Sequence, residues 1–313
     1  VIVTSENNYF QWFYEDELFA RKPFEDSKLK IKYNAKVENF GSFKEELINN
    51  ANKLIDLYPN RKFSILLSGG SESETMIRLY RSQNIDFTAY IFRYEKDINL
   101  YDVSYAISAA ESIGATYKVI DFNLTQFYES GDAEKISEIA QIDRPRALPQ
   151  LKFLDYITDN SVVLGGQGAT AWRRPGDIDY TIKSIWVDVY DEFEIGWDRY
   201  VKETNREACL TWLRYSPQLV LAHNSTDWAK KLRSDGIIGK TGVKSTKLQG
   251  YQEVFPEMLQ RIKKHGMEPA DDIINEYQEF LIKKYNGLPF RGYAEKTWNE
   301  ICQELLGKQA SYQ

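Results

Sequence analysis

With 313 residues, the chain is long enough for one large domain or two modest ones, and for a sizeable buried core. A composition of 42% hydrophobic, 27% charged and 14% aromatic residues excludes collagen-like, low-complexity and broadly disordered chains. The 46 acidic residues outnumber the 40 basic ones for a net charge of −6, which argues against general attraction to nucleic acid or an anionic membrane; a local basic groove, and so nucleic acid, is not excluded.

In chain order, the first forty residues are rich in aromatics (Tyr9, Phe10, Trp12, Phe13, Tyr14, Phe19), and 29–33 alternates with period two like a half-buried strand. Ser42 and Glu45 have the spacing of a capping box, which opens a helix carrying Leu47, Ile48, Ala51, Leu54 and Ile55 on one stripe and ending near Tyr58-Pro59-Asn60. Short apolar runs then alternate with helical patterns: strands at 63–67, 87–92, 117–122 and 161–164, and helices at 72–83, 101–113 and 148–157. Beyond about 185 the pattern is mostly helical. The reading is an α/β fold, a Rossmann-like parallel sheet with helices on both faces plus a mostly helical C-terminal part. The expected division is a β-containing lead-in over 1–41, an α/β domain over 42–185 and a helical region over 186–313.

The richest stretch is Ser68-Gly69-Gly70-Ser71-Glu72-Ser73, where a buried strand runs through two glycines directly into a helix. Glycine lets the backbone approach a ligand, and a helix start presents unpaired N–H donors and about half a positive charge. Together with the serine hydroxyls these suit a phosphate or pyrophosphate. The plainer alternative is a serine-capped turn.

This loop resembles that of the PP-loop ATP pyrophosphatases, Ser-Gly-Gly-x-Asp-Ser after the first strand, a superfamily that includes asparagine synthetase, GMP synthetase and NAD synthetase. Ser68, Gly69, Gly70 and Ser73 match, and Glu72 stands where the family has Asp. Asp102 and Ala106, in a predicted helix stopped by Gly114, are similar to the Asp-x-x-x-Ala helix of asparagine-synthetase-like members, so the resemblance spans roughly 60–185. It implies ATP held by Ser68, Gly69, Gly70, Ser71 and Ser73, with adenine at the end of the second strand by Ile91, Phe92 and Arg93. A strand-end arginine is suited to pair with phosphate. Gly165, Gly166 and Gln167 resemble a second ATP-contacting loop, but Gln167, Thr170 and Ala171 replace carboxylates there. Mg²⁺ is therefore expected to rest on Glu72 and the nucleotide's own phosphates.

Segments 213–219 and 247–266 resemble parts of asparagine-synthetase-like proteins from tailed-phage genomes. A solvated basic helix face is the plain reading of 247–266; the sharper one folds Lys247 or Arg261 over the departing pyrophosphate.

Other motifs are weaker. Residues 234–241 end like a Walker loop but begin with Ser where Gly is required. His223 and His265 are isolated from each other and from both cysteines, so a metal role is not expected of either. Cys209 and Cys302 are too few for a disulfide framework or a four-thiolate zinc site. With no signal-like start and no apolar run near the roughly 18–20 residues that cross a bilayer, the expected place is the cytoplasm, that of the host if a phage encodes the chain.

The leading expectation is an enzyme that adenylates an unidentified acceptor with ATP, releases pyrophosphate and lets ammonia or an amine displace AMP. A nucleotide-binding module that has lost its chemistry, and a structural or partner-binding protein, are the alternatives; acceptor and oligomeric state cannot be read from the residues.

Overall fold

The computed structural model describes residues 10–14, 17–18, 29–142, 144–166, 172–173, 187–235, 246–258, 270–284 and 293–308. Strands β1 (Phe10–Tyr14), β2 (Glu17–Leu18) and β3 (Leu29–Tyr33) form an antiparallel sheet in the order β2-β1-β3. Helix α1 (Phe43–Leu57) opens with the capping box read from the sequence: the Glu45 N–H donates to Ser42 Oγ, and the Ser42 N–H donates to Glu45 Oε2 at 2.7 Å.

The α/β unit follows as β4 (Phe63–Leu66), α2 (Ser71–Ser82), β5 (Phe87–Tyr94), α3 (Leu100–Ser112) and β6 (Tyr117–Phe122). Helices α4 (Leu124–Glu129), α5 (Asp132–Ala140) and α6 (Pro149–Lys152) lead to β7 (Val162–Leu164). Two of these, α4 and α5, are additions to the predicted elements, and the helix predicted at 148–157 is α6 flanked by short 3-10 turns. Pro149, at the first helical position, sets that start.

Beyond them lie β8 (Trp172–Arg173), β9 (Val187–Asp191), α7 (Glu192–Glu203), β10 (Ala208–Cys209), α8 (Pro217–Asn224), α9 (Asp227–Asp235), α10 (Thr246–Gln252), α11 (Asp271–Lys284), β11 (Tyr293–Lys296) and α12 (Trp298–Leu306). The late region is helical as expected, yet its two-residue strand β10 completes the parallel sheet. Strands β8, β9 and β11 form a separate antiparallel sheet.

The five-stranded parallel sheet has the order β10-β7-β4-β5-β6. Phe63, Ile65, Ala89, Ile91 and Leu164 face one core, shared with α1, α2 and α3. Tyr90, Phe92, Phe122 and Val163 face a second core, closed by α4, α5, α7 and α11. Burial on both faces is why these strands read as near-continuous apolar runs. From β4 the chain steps to β5 and β6 on one side, then crosses back to β7 on the other. The order thus reverses between β4 and β7, and open α/β sheets bind ligands in the crevice beyond such a switch point.

The late segments are tied to this frame. Helix α10 packs on α2 and on α9, where a Cβ added at Gly250 would overlap the indole of Trp228. Gly250→Ala is expected to destabilise the fold by about 1–3 kcal/mol, as overpacking does, and to shift Trp228 fluorescence; unchanged urea unfolding would refute the close packing. Strand β3 and α12 meet through the Tyr33 N–H, which donates to Glu304 Oε2 at 3.1 Å, and share a small core with α8. Cys209 and Cys302 are buried and form no disulfide with each other. Among the described residues no helix is long and apolar enough to cross a membrane.

Candidate functional site

The site is built where β4 and β7 end. Past Leu67 the chain turns through Gly69, whose φ of +75° lies in the left-handed region that favours glycine. Gly70 is the N-cap of α2 and, lacking a side chain, leaves the helix start without a side-chain cap. The first intrahelical bond runs from the Glu74 N–H to the Gly70 carbonyl at 3.1 Å. The N–H groups of Ser71, Glu72 and Ser73 therefore have no acceptor within the helix and converge at its positive end.

Ser73 braces this turn from inside. Its Oγ accepts from the Ser68 N–H at 3.2 Å and its hydroxyl donates to the Gly70 carbonyl at 3.1 Å. Ser68, exposed, accepts from the Gly70 N–H at 3.3 Å, and the Ser71 hydroxyl donates to Glu72 Oε2 at 3.1 Å. The half-buried Glu72 carboxylate thus stands beside the helix N-terminus.

Two neighbouring segments touch the loop. A Cβ added at Gly69 would overlap the Asp102 carbonyl oxygen and lie 3.0 Å from its carbon, so the first turn of α3 packs directly on the loop. One added at Gly166 would lie 3.0 Å from both the Glu72 carbonyl carbon and the Ser73 nitrogen. Gly166 is thereby brought against the start of α2 and bridges Thr211, while Gly165 donates its N–H to the Cys209 carbonyl and lies against Leu210. Gln167 and Arg261 lie outside the described residues, as do Thr170, Ala171, His265 and 236–241. Lys247 belongs to α10.

The three residues expected near adenine lie along the end of β5. Ile91 is buried in the core beneath α2 and α3, and Phe92 stacks on Phe153 with ring centroids 3.8 Å apart on the opposite face. Arg93 is exposed and pairs with Asp121, its cross-strand partner, at 2.7 Å. The Arg93 hydrogen bond holds the Asp121 carboxyl below the usual carboxylate range. Just beyond, Asn99 straps the loop by accepting from the Tyr94 N–H and donating to the Phe92 carbonyl, both at 2.8 Å.

Sequence reasoning passed over a buried polar group behind the two loops. Arg214, 1% exposed, follows Thr211 in a 3-10 turn and lies 3.6 Å from Glu194 of α7. Tyr251 of α10 is fully buried, its ring stacked on His223 at 5.6 Å. Burial first, and then the negative charge of Glu72, push its phenol well above the usual range, while Arg214 acts in the opposite direction. His223 is accordingly a core residue between Tyr251 and Phe43. Among the described residues no group of three or more His, Cys, Asp and Glu is placed to hold a metal ion.

No family model matches the chain, and no curated protein matches it. Among solved structures, an NMN synthetase from Francisella tularensis aligns at 22% identity with a TM-score of 0.32, over 41% of this chain and 54% of that one. An NH3-dependent NAD synthetase from Campylobacter jejuni, in complex with nitrate, aligns at 15% identity with a TM-score of 0.29, over 40% of this chain and 56% of that one. A glutamine-dependent NAD+ synthetase from Acinetobacter baumannii, in complex with ADP, aligns at 13% identity with a TM-score of 0.31, over 49% and 33%. The similarity is distant and confined to the fold. The chain spans about half or less of the length of these structures.

Proposed function

We propose that the chain binds ATP in the crevice beyond β4 and β7 and splits it between the α and β phosphates. The observation that carries this reading is the loop itself: a glycine pair, one in the left-handed region, delivers three helix-start N–H groups to the switch point of the sheet, with Gly166 pressed against them. The loop has no lysine after its glycines of the kind that holds β and γ phosphates in kinases and ATPases.

In the proposed reaction an acceptor oxygen, from a carboxylate, carbonyl or amide, attacks the α-phosphorus. A new P–O bond forms, the bond to the β-phosphate oxygen breaks, and pyrophosphate leaves with the electron pair. Ammonia or an amine then displaces AMP. The N–H groups of Ser71, Glu72 and Ser73 stabilise charge on the phosphates and hold them for in-line attack. Ser68 and Ser71 add hydroxyls, and Lys247 and Arg261 are the cations assigned to the departing pyrophosphate.

The donor set suits Mg²⁺ bound through one carboxylate, Glu72, together with phosphate oxygens and water, the usual manner for that ion. Such an ion would neutralise phosphate charge. Expected products of turnover are AMP and pyrophosphate, read by ion-exchange chromatography; ADP and orthophosphate as primary products would sink the reading. Glu72→Gln is expected to weaken ATP binding in Mg²⁺ by about tenfold and to leave metal-free binding little changed, measured by calorimetry.

A second reading, a binding module without turnover, is favoured by Glu72 in place of the shorter Asp. ATP binding with no pyrophosphate released in the presence of a metabolite extract, and turnover restored by Glu72→Asp, would establish it.

A further inference from the structure

The Tyr251 hydroxyl is the group the proposed reaction leaves unused. Helix α10 lies on α2, and Tyr251 shares a core with Met76, Ile77 and Leu79 of that helix. Its ring is fixed by Phe43 at 6.1 Å and His223 at 5.6 Å, so packing is satisfied without the oxygen. That oxygen is fully buried and has no hydrogen-bond partner among the described residues. A buried hydroxyl left unpaired is costly, and such groups in native proteins call for an explanation. The same segment is pinned to α2 at two points just after Glu72: the Thr75 hydroxyl donates to Met258 Sδ at 3.7 Å, and Arg78 pairs with Glu257 at 3.3 Å. The hydroxyl is therefore held in place by the fold.

We infer that Tyr251 is a positioning residue for Glu72: with Mg²⁺ and nucleotide at the loop, its hydroxyl donates a hydrogen bond to the Glu72 carboxylate and holds that carboxylate toward the metal. This rests on the proposed nucleotide reading. After burial itself, the Glu72 charge raises the Tyr251 phenol and Arg214 lowers it, which agrees with both groups lying near that phenol. Tyr251, having no exposed surface, acts through Glu72 and does not itself touch the nucleotide.

The test is Tyr251→Phe, which keeps the ring and removes the oxygen. Thermal melting and ATP titration calorimetry, with and without Mg²⁺, are compared with wild type. Expected are a melting temperature equal to or above that of wild type, unchanged metal-free binding, and at least about a tenfold loss of the Mg²⁺-dependent gain in affinity. On a Glu72→Gln background the same change is expected to have no further effect, because both substitutions break one linkage.

Equal Mg²⁺-dependent gains in wild type and Y251F, or additive losses in the double variant, would overturn the inference while the nucleotide reading stands. Wild type that binds no ATP in either condition would overturn both.

Discussion

Gly69→Ala is expected to abolish ATP binding and to destabilise the protein by several kcal/mol. Two effects add. A non-glycine residue at φ +75° carries about 1–3 kcal/mol of backbone strain, and the new Cβ would overlap the Asp102 carbonyl oxygen, which belongs to a helix backbone and cannot swing aside. The binding loss comes through the loop and α3: to relieve the overlap the turn must move off α3, and the N–H groups of Ser71, Glu72 and Ser73 move with it.

Gly131 supplies the control. It has φ +80° with nothing within 4 Å of an added Cβ, so Gly131→Ala should suffer the backbone strain alone, about 1 kcal/mol, and bind ATP normally. Urea unfolding and calorimetry on the two variants decide the matter, and equal stability losses would show that α3 does not press on the loop.

Arg78→Met is the second large effect, with an expected loss of about 3–5 kcal/mol. Arg78 is 4% exposed and Glu74 0%, and their ion pair spans 2.8 Å one turn apart on α2. Removing the cation leaves a carboxylate in the core without its counter-charge, which is far worse than lacking the pair altogether. The guanidinium also donates to Ser112 of α3 at 3.2 Å and reaches Glu257, so one side chain joins α2, α3 and the segment after α10. Arg78→Met combined with Glu74→Leu should recover most of the loss. Denaturant unfolding of the three proteins checks this, and a double variant no more stable than Arg78→Met would refute the account.

The central architecture was legible because each part follows from a local rule. The capping box marked α1, apolar runs marked β4, β5, β6 and β7, and Gly114 closed α3, with bounds shifted by only a residue or two. Elements that depend on distant partners were not. Strand β10 is Ala208–Cys209, too short to show a period, and exists because β7 offers it a parallel edge. Helices α4 and α5 are brief, and the α4 start is held from a distance by Glu95, whose carboxylate accepts from the Leu124 and Thr125 N–H groups at 2.7 and 2.9 Å.

At the site the pattern was similar. Ser68 to Ser73 stood out by its glycines and hydroxyls, a capped turn being the plainer reading until the family resemblance was added, and the structure adds why the glycines are needed: Gly69 lies against Asp102, and Gly166 against Glu72 and Ser73. The surroundings of Arg93 were hidden because they depend on strand register, which sets Asp121 beside it. Arg214 and Tyr251 could not be singled out, since nothing local distinguishes a buried arginine or tyrosine from a surface one.

The switch point also has a kinetic meaning. Its β5 side closes through short crossovers, whereas its β7 side joins residues far apart in sequence: Ser64 meets Ser161, 97 positions on, and Arg61 meets Glu207, 146 positions on. Long-range pairing must overcome loop-closure entropy before any contact rewards it, so such steps are slow. The β4-β5-β6 half can therefore assemble early while the β7-β10 half joins late. Since the crevice has one wall from each half, it comes into being only at that second step, and a chain folded no further than β6 has the glycine loop without the wall that faces it.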